Sequence, residues 1–208
     1  FYNIAGADTS YSDVYDFSIT PGFNTPDWAK GAVMYQIYVE RFCNGDKTND
    51  VETNEYAYIG KGVEKIEDWY ENPAADGTRQ FYGGDLQGVI DKMDYLEKLG
   101  VKAIYFNPLF VSPSNHKYDT QDYDYIDPHF GKIVVDEGDV LKDGETDNSK
   151  ATKYISRVTN KKNLEASNEL FIELVEEAHK RGIKVIIDGV FNHCGSFNKW
   201  MDYEEIYR

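Results

Sequence analysis

Apolar side chains at Leu86, Val89, Ile90, Met93, Leu96 and Leu99 recur at the spacing of one helical face. The pattern predicts a helix over 86–99, with Asp85 as its N-cap and Gly100 as its stop. Immediately after it, Val101 to Asn107 is a mostly apolar run closed by Pro108, the signature of a buried strand. The plan then repeats. Leu170, Phe171, Leu174, Val175 and Ala178 line a second helix, for which Ser167 or Asn168 can cap the start and Gly182 the end. Ile183 to Val190 follows as another buried strand, and Val33 to Val39 is an earlier one of the same type.

The order strand, helix, strand, helix, strand calls for a parallel sheet covered by helices. Each helix returns to its next strand through one glycine, whereas each strand reaches its helix through a long segment, residues 40–84 and 108–166. All the extra chain therefore leaves the C-terminal ends of the strands, the face on which a (β/α)₈ barrel builds its active site. A doubly wound open sheet fits three strands equally well. Residues 1–27 differ: Asp16 to Thr20 reads as one short strand, followed by the Pro/Gly/Asn-rich PGFNTPDW. About 250 residues make a (β/α)₈ barrel, so three units in this length read as the N-terminal part of one.

Charge narrows the partners. The chain has 208 residues and a formal net charge of −15, which repels nucleic-acid phosphates and an anionic membrane surface. Neutral polymers carry no such penalty, and hard cations are attracted. The 17 Tyr, 11 Phe and 3 Trp suit flat hydroxylated ligands but equally a large core. No stretch approaches the roughly 20 apolar residues of a membrane span. The first residues lack the basic and apolar regions of a signal peptide. Cys43 and Cys194 form no disulfide framework or zinc pattern and read as free thiols.

Four segments carry candidate chemistry. NGDKTND clusters Asn44, Asp46, Asn49 and Asp50, oxygen donors of the kind calcium takes in sixes to eights, although a solvated Asx/Gly turn has the same composition. FYGGDL places Asp85 ahead of the first helix, where a cap is the simpler reading. SPSNHKYDTQDYDYIDPHFG follows the second strand and concentrates His116, Tyr118, Asp119, Asp122, Tyr123 and Asp124. DGVFNH ends the third strand. An aspartate there, Asp188, is costly unless paired, so it requires a specific partner. His129 and His179 read as structural or solvent-facing.

Together these segments resemble the α-amylase superfamily of glycoside hydrolases, nearest its neopullulanase, cyclomaltodextrinase and amylopullulanase group. DGVFNH resembles that superfamily's first conserved region. SPSNHKYDT with DYxxIDPHFG resembles a segment typical of the group, and PDWAKGAVMYQIYVERF its entry into the first barrel strand. The resemblance implies a preceding starch-binding-like β-sandwich ending in 1–27, the N-terminal part of a (β/α)₈ TIM barrel over 28–193, and the start of an insertion over 194–208. It implies a retaining hydrolase of α-1,4 and possibly α-1,6 glucans, extracellular or at the cell surface, with the cytoplasm as the alternative. A transglycosidase of the same superfamily and a non-catalytic starch-binding homologue are the rivals.

The resemblance also distributes roles. Tyr118 stacks on the sugar whose bond is broken, His193 bonds the same sugar, and His116 lies nearby. Asp188 is a supporting carboxylate, not the attacking group. Asn44, Asp46, Asn49, Asp50, the Gly83 carbonyl and Asp85 form a Ca²⁺ site fastening the first loop to the first helix. The nucleophile and general acid belong to later strands, in the remainder of the catalytic domain. The one near match to the nucleophile motif, Gly77-Thr-Arg-Gln-Phe81, ends in Phe; these 208 residues alone are therefore expected to be inactive on starch. Residues 132–163 depart from the group's pattern, as an outer subsite or as a neutral surface elaboration.

Overall fold

The computed structural model describes residues 1–18, 20–75 and 77–207. The chain divides into two compact units, Phe1–Ala32 and Val33–Arg208. Within the first, Tyr2–Asn3 pairs antiparallel with Gly6–Ala7, and Asp13–Tyr15 forms one 3₁₀ turn. The strand expected over 16–20 is not formed by residues 16–18 or 20, and Ile19 lies outside the described residues.

The second unit is built on three parallel strands, β1 (Met34–Ile37), β2 (Ala103–Phe106) and β5 (Lys184–Ile187), with β2 in the centre. Their register is flush: Ile37, Phe106 and Ile187 end at one level, so the three following loops leave from one edge. The helix expected over 86–99 is broken at Lys92 into α1 (Leu86–Asp91) and α2 (Met93–Lys98). Its apolar face survives the break, because Leu86, Val89, Met93 and Leu96 are fully buried against Ile37, Phe106 and Ile104. Gly100 (φ +83°) and Gly182 (φ +70°) adopt the left-handed conformation that closes each helix and turns the chain into its next strand.

Between β2 and β5 the chain forms a short antiparallel pair, β3 (Phe110–Val111) and β4 (Asp122–Ile126), joined with a bulge. This pair closes residues 112–121 into a loop above the C-terminal end of β2. Then come α3 (Thr152–Thr159) and the long α4 (Lys161–Lys180). Helix α4 begins earlier than the cap reading placed it. Asn160 caps it through Lys162 N (3.0 Å), while Ser167 and Asn168 lie inside the helix. Ser167 Oγ donates to the Asn163 carbonyl one turn back (2.7 Å), and Asn168 Oδ1 accepts from Ile126 N (2.9 Å). Their polarity serves packing against loops.

The segment 132–163 is no surface elaboration. Leu141, Ala151, Tyr154 and Val158 enter a second apolar cluster with Val51, Tyr56, Phe81, Val111 and Phe197. This cluster lies under the loops, separate from the core between sheet and helices. Among the described residues no helix is long and apolar enough to cross a membrane, and both cysteines are free thiols.

Candidate active site and cation loop

The loop over 112–121 is fixed from beneath. Lys117, with φ +61°, buries its whole side chain, and its Nζ donates to Asp127 Oδ2 (2.6 Å) and to the Ser112 carbonyl (2.7 Å). A left-handed non-glycine residue is unfavourable, so an anchored side chain is what holds it there. Asn115 Nδ2 bridges the Gly77 and Gln80 carbonyls, at 2.9 Å each. Asp119 accepts from Ser112 Oγ (2.7 Å) and from Ser114 Oγ. The flanking His116 and Tyr118 are thereby turned outward; Tyr118 is 36% exposed.

Tyr118 Oη donates to Asp188 Oδ2 (2.8 Å), across 70 residues of sequence. This is the partner that a carboxylate at the end of β5 requires. Burial and that bond push the Tyr118 phenol up to about 12, and a hydrogen bond to Asp188 also raises Tyr105. His193 Nε2 lies 3.1 Å from the Tyr118 carbonyl, while its Nδ1 lies 2.9 Å from Asn192 Nδ2. A carbonyl can only accept, so Nε2 carries the proton and Nδ1 accepts from the amide. His116 Nδ1 accepts from Tyr118 N (3.1 Å), and burial holds this imidazole below its usual pKa. Its ring centre is 6.0 Å from that of Tyr118. Tyr118, His116, Asp188 and His193 thus meet at the C-terminal ends of β2 and β5. The sequence reading missed the staple that shapes the fourth corner: the single O–H of Tyr123 is shared between the Val190 (2.8 Å) and His193 (2.7 Å) carbonyls.

The other expected set lies around the loop after β1. Asp85 is fully buried, and its carboxylate accepts from Gly88 N (2.6 Å), Asp46 N (2.7 Å) and Gly45 N (3.1 Å). It caps α1 and clasps the loop at once; burial pushes its carboxyl up to about 6. Asp46 instead serves its own turn, accepting from Thr48 N (2.9 Å) and Oγ1 (2.6 Å). Asn44 Nδ2 donates to Asp50 Oδ1 (2.7 Å) and Asn49 Nδ2 to the Gly131 carbonyl (2.9 Å). Asp50 also pairs with Lys65, and burial raises its pKa. Gly83 (φ +85°) lies so close that a Cβ would collide with Asp50 Oδ1 and Asn44 Nδ2. Asn44 Oδ1 and Asn49 Oδ1 are buried acceptors without a hydrogen-bond partner among the described residues. Such orphans cost about 1–3 kcal/mol each, a cost that a bound cation would remove. Among the described residues no three His, Cys, Asp or Glu side chains form a metal cluster; the donors here are chiefly amide and carbonyl oxygens, which suit a hard cation.

The α-amylase catalytic-domain family model matches residues 36–137 and 164–206. Neopullulanase 2 of Thermoactinomyces vulgaris is 44% identical over 173 residues, which is 83% of this chain and 21% of that protein. An amylopullulanase of Thermoanaerobacter thermohydrosulfuricus is 38% identical over 203 residues, 90% of this chain and 11% of that protein. The type III pullulan hydrolase from Thermococcus kodakarensis superposes with a TM-score of 0.65 at 29% identity, over 92% of this chain and 29% of that one. The chain spans at most about a fifth of the length of the curated relatives it matches. The three parallel strands and the helices between them are thus part of a (β/α)₈ barrel, and the chain belongs to the α-amylase catalytic-domain family.

Proposed function

We propose that the chain is part of a retaining glycoside hydrolase acting on α-1,4, and also α-1,6, glucans such as starch, pullulan or maltodextrins. The observation that carries this reading is the junction of Tyr118, Asp188 and His193 on the C-terminal edge of parallel strands in an α-amylase family chain. Asp188 accepts the Tyr118 hydroxyl and fixes the plane of the ring. The exposed ring face is then free to lie under a sugar, whose C–H surface suits an aromatic face. The proton on His193 Nε2 is held beside the Tyr118 carbonyl and can be redirected to a sugar hydroxyl. Asp188 takes a supporting rather than an attacking role, as the family resemblance implies, and its Oδ2 holds the phenol. The nucleophile and the acid, about 5–5.5 Å apart in retaining enzymes, come in this reading from the remainder of the catalytic domain.

The cation loop fits calcium. Asn44, Asn49, Asp50 and the Gly83 carbonyl would hold the ion, with Asp85 keeping the loop against α1. A bound Ca²⁺ would supply a structural cross-link, with no part in bond cleavage. Incubating the intact protein with pullulan, maltodextrin and cyclodextrin tests the function. Reducing sugar released from at least one of them is expected. Turnover of none, with the folded state verified, contradicts the proposal.

A further inference from the structure

Arg157 is the largest fully buried side chain of the second unit, and it comes from α3, inside the stretch 138–163 that the family pattern does not match. Its guanidinium uses every direction it has. Nη1 donates to Glu55 Oε2 (2.7 Å) and to the Asp50 carbonyl (2.9 Å). Nη2 donates to Glu52 Oε1 (2.9 Å) and Asp136 Oδ2 (3.0 Å), and Nε donates to Asp136 Oδ1 (2.8 Å). Glu55, itself fully buried, passes the contact on: its Oε1 lies 2.7 Å from His129 Nε2. His129 Nδ1 lies 2.9 Å from Asp127 Oδ1, and Asp127 Oδ2 accepts from Lys117 Nζ (2.6 Å). Lys117 is the left-handed residue between His116 and Tyr118.

The chain of charges therefore runs Arg157, Glu55, His129, Asp127, Lys117 without a break, every member at least nine-tenths buried. From this continuity we infer that Arg157 is a positioning residue for the sugar-facing loop, acting through Glu55, His129, Asp127 and Lys117 on Tyr118. The inserted helix is then a clamp on the active-site face. The physical reason is that a buried charged network tolerates few arrangements. Removing one member strands its neighbour's charge, and the neighbours move to find another partner. Here the last member to move is the lysine whose backbone sets the direction of Tyr118. Because Arg157 also holds the Asp50 carbonyl, the same clamp joins the cation loop to the sugar-facing loop.

This inference rests on the proposed function only for its kinetic arm. In the intact protein, Arg157→Met is compared with Val158→Ala, a neighbour in α3 that faces the apolar cluster and not the charges. Hydrogen exchange of the peptide 112–121 is followed together with KM and kcat on a maltodextrin. Arg157→Met is expected to speed exchange in 112–121 at least tenfold and to raise KM about tenfold, with exchange in α4 unchanged. A purely local role would lower the folded fraction, and so kcat, without moving KM, as Val158→Ala is expected to do. Should the stranded Glu55 prevent folding, Arg157→Met combined with Glu55→Gln is compared with Glu55→Gln alone, and the difference between these two variants gives the same two readouts. Exchange changes confined to 50–58 and 132–163, with KM within twofold, overturn the inference. Absence of any turnover would overturn the proposed function alone, and the exchange arm still decides the positioning role.

Discussion

A carboxylate at the end of an apolar strand needs a partner, and that rule was enough to single out Asp188 before its partner was known. The structure supplies Tyr118 Oη at 2.8 Å. Replacing Asp188 by Asn exchanges a charge-assisted bond for a neutral one, worth about 1.5–3 kcal/mol when charged. The expected outcome is a loss of ten- to hundredfold in kcat/KM of the intact protein on maltodextrin, with melting temperature little changed. The same rule applies to Glu40, buried at the end of β1 and accepting from the Tyr82 and Gly83 amides, though its glutamate passed unnoticed inside the strand-entry motif. Other residues had no local signal at all. Glu55 and Arg157 are 102 positions apart, Glu55 and His129 are 74 apart, and only the fold brings them together. Burial alone would depress His129, but Glu55 and Asp127 outweigh it and raise its pKa. A raised imidazole pKa contributes stability that is fully present below about 6.5 and is lost as pH rises through the folded value. Asp127 has the opposite sign: Lys117 and His129 overcome its burial and hold its carboxyl well below the usual range. Its contribution is present above about 3.9 and disappears as pH falls through the folded value. Thermal melts between pH 6 and 9 are therefore expected to show a decline that His129→Gln flattens; an identical slope in both proteins would contradict this.

At the scale of elements, apolar runs located all three parallel strands, but only the central β2 is mostly buried as expected, because Met34 of β1 and Ile187 of β5 are exposed. Periodicity located the core-facing sides of both predicted helices, where Leu86, Val89, Met93, Leu96, Leu170, Leu174 and Ala178 are buried, although Leu99 is exposed. What periodicity could not show was where loops take over its role. The start of α4 was misplaced because Ser167 and Asn168 have the chemistry of caps, yet their side chains satisfy the Asn163 carbonyl and the Ile126 amide from inside the helix. Helix α3 was hidden because a segment rich in Asp, Lys, Asn and Thr contributes only a few apolar residues to the second cluster. Those few carry its docking. Leu141→Ala, at a 4% exposed site, is expected to destabilise the protein by about 2–5 kcal/mol, whereas Val134→Ala, at a 58% exposed one, costs within about 0.5 kcal/mol. Denaturant titration of the two variants checks the contrast, and equal costs would mean that the segment does not pack as described.

For the whole molecule, two loops leave one edge of the parallel strands, and the proposal assigns a cation to the one after β1 and a sugar to the one after β2. The buried, unpartnered Asn44 Oδ1 and Asn49 Oδ1 are the reason to expect that a cation stabilises the fold. Calcium at a hundred times its dissociation constant would add about 2.7 kcal/mol. A chelator should therefore lower the melting temperature, calcium should restore it, and Asn49→Ala should abolish the response. A melting temperature indifferent to both would remove calcium from the account. The central claim is that Tyr118, seated on Asp188 and flanked by His193, receives an α-glucan in a retaining hydrolase. It is tested most directly by following the anomer first released from maltohexaose by the intact protein and by its Tyr118→Ala variant. An α-anomeric reducing end is expected from the intact protein, and the variant is expected to fold normally yet lose about a hundredfold in kcat/KM. Initial release of the β-anomer, or full activity without the Tyr118 ring, would contradict it.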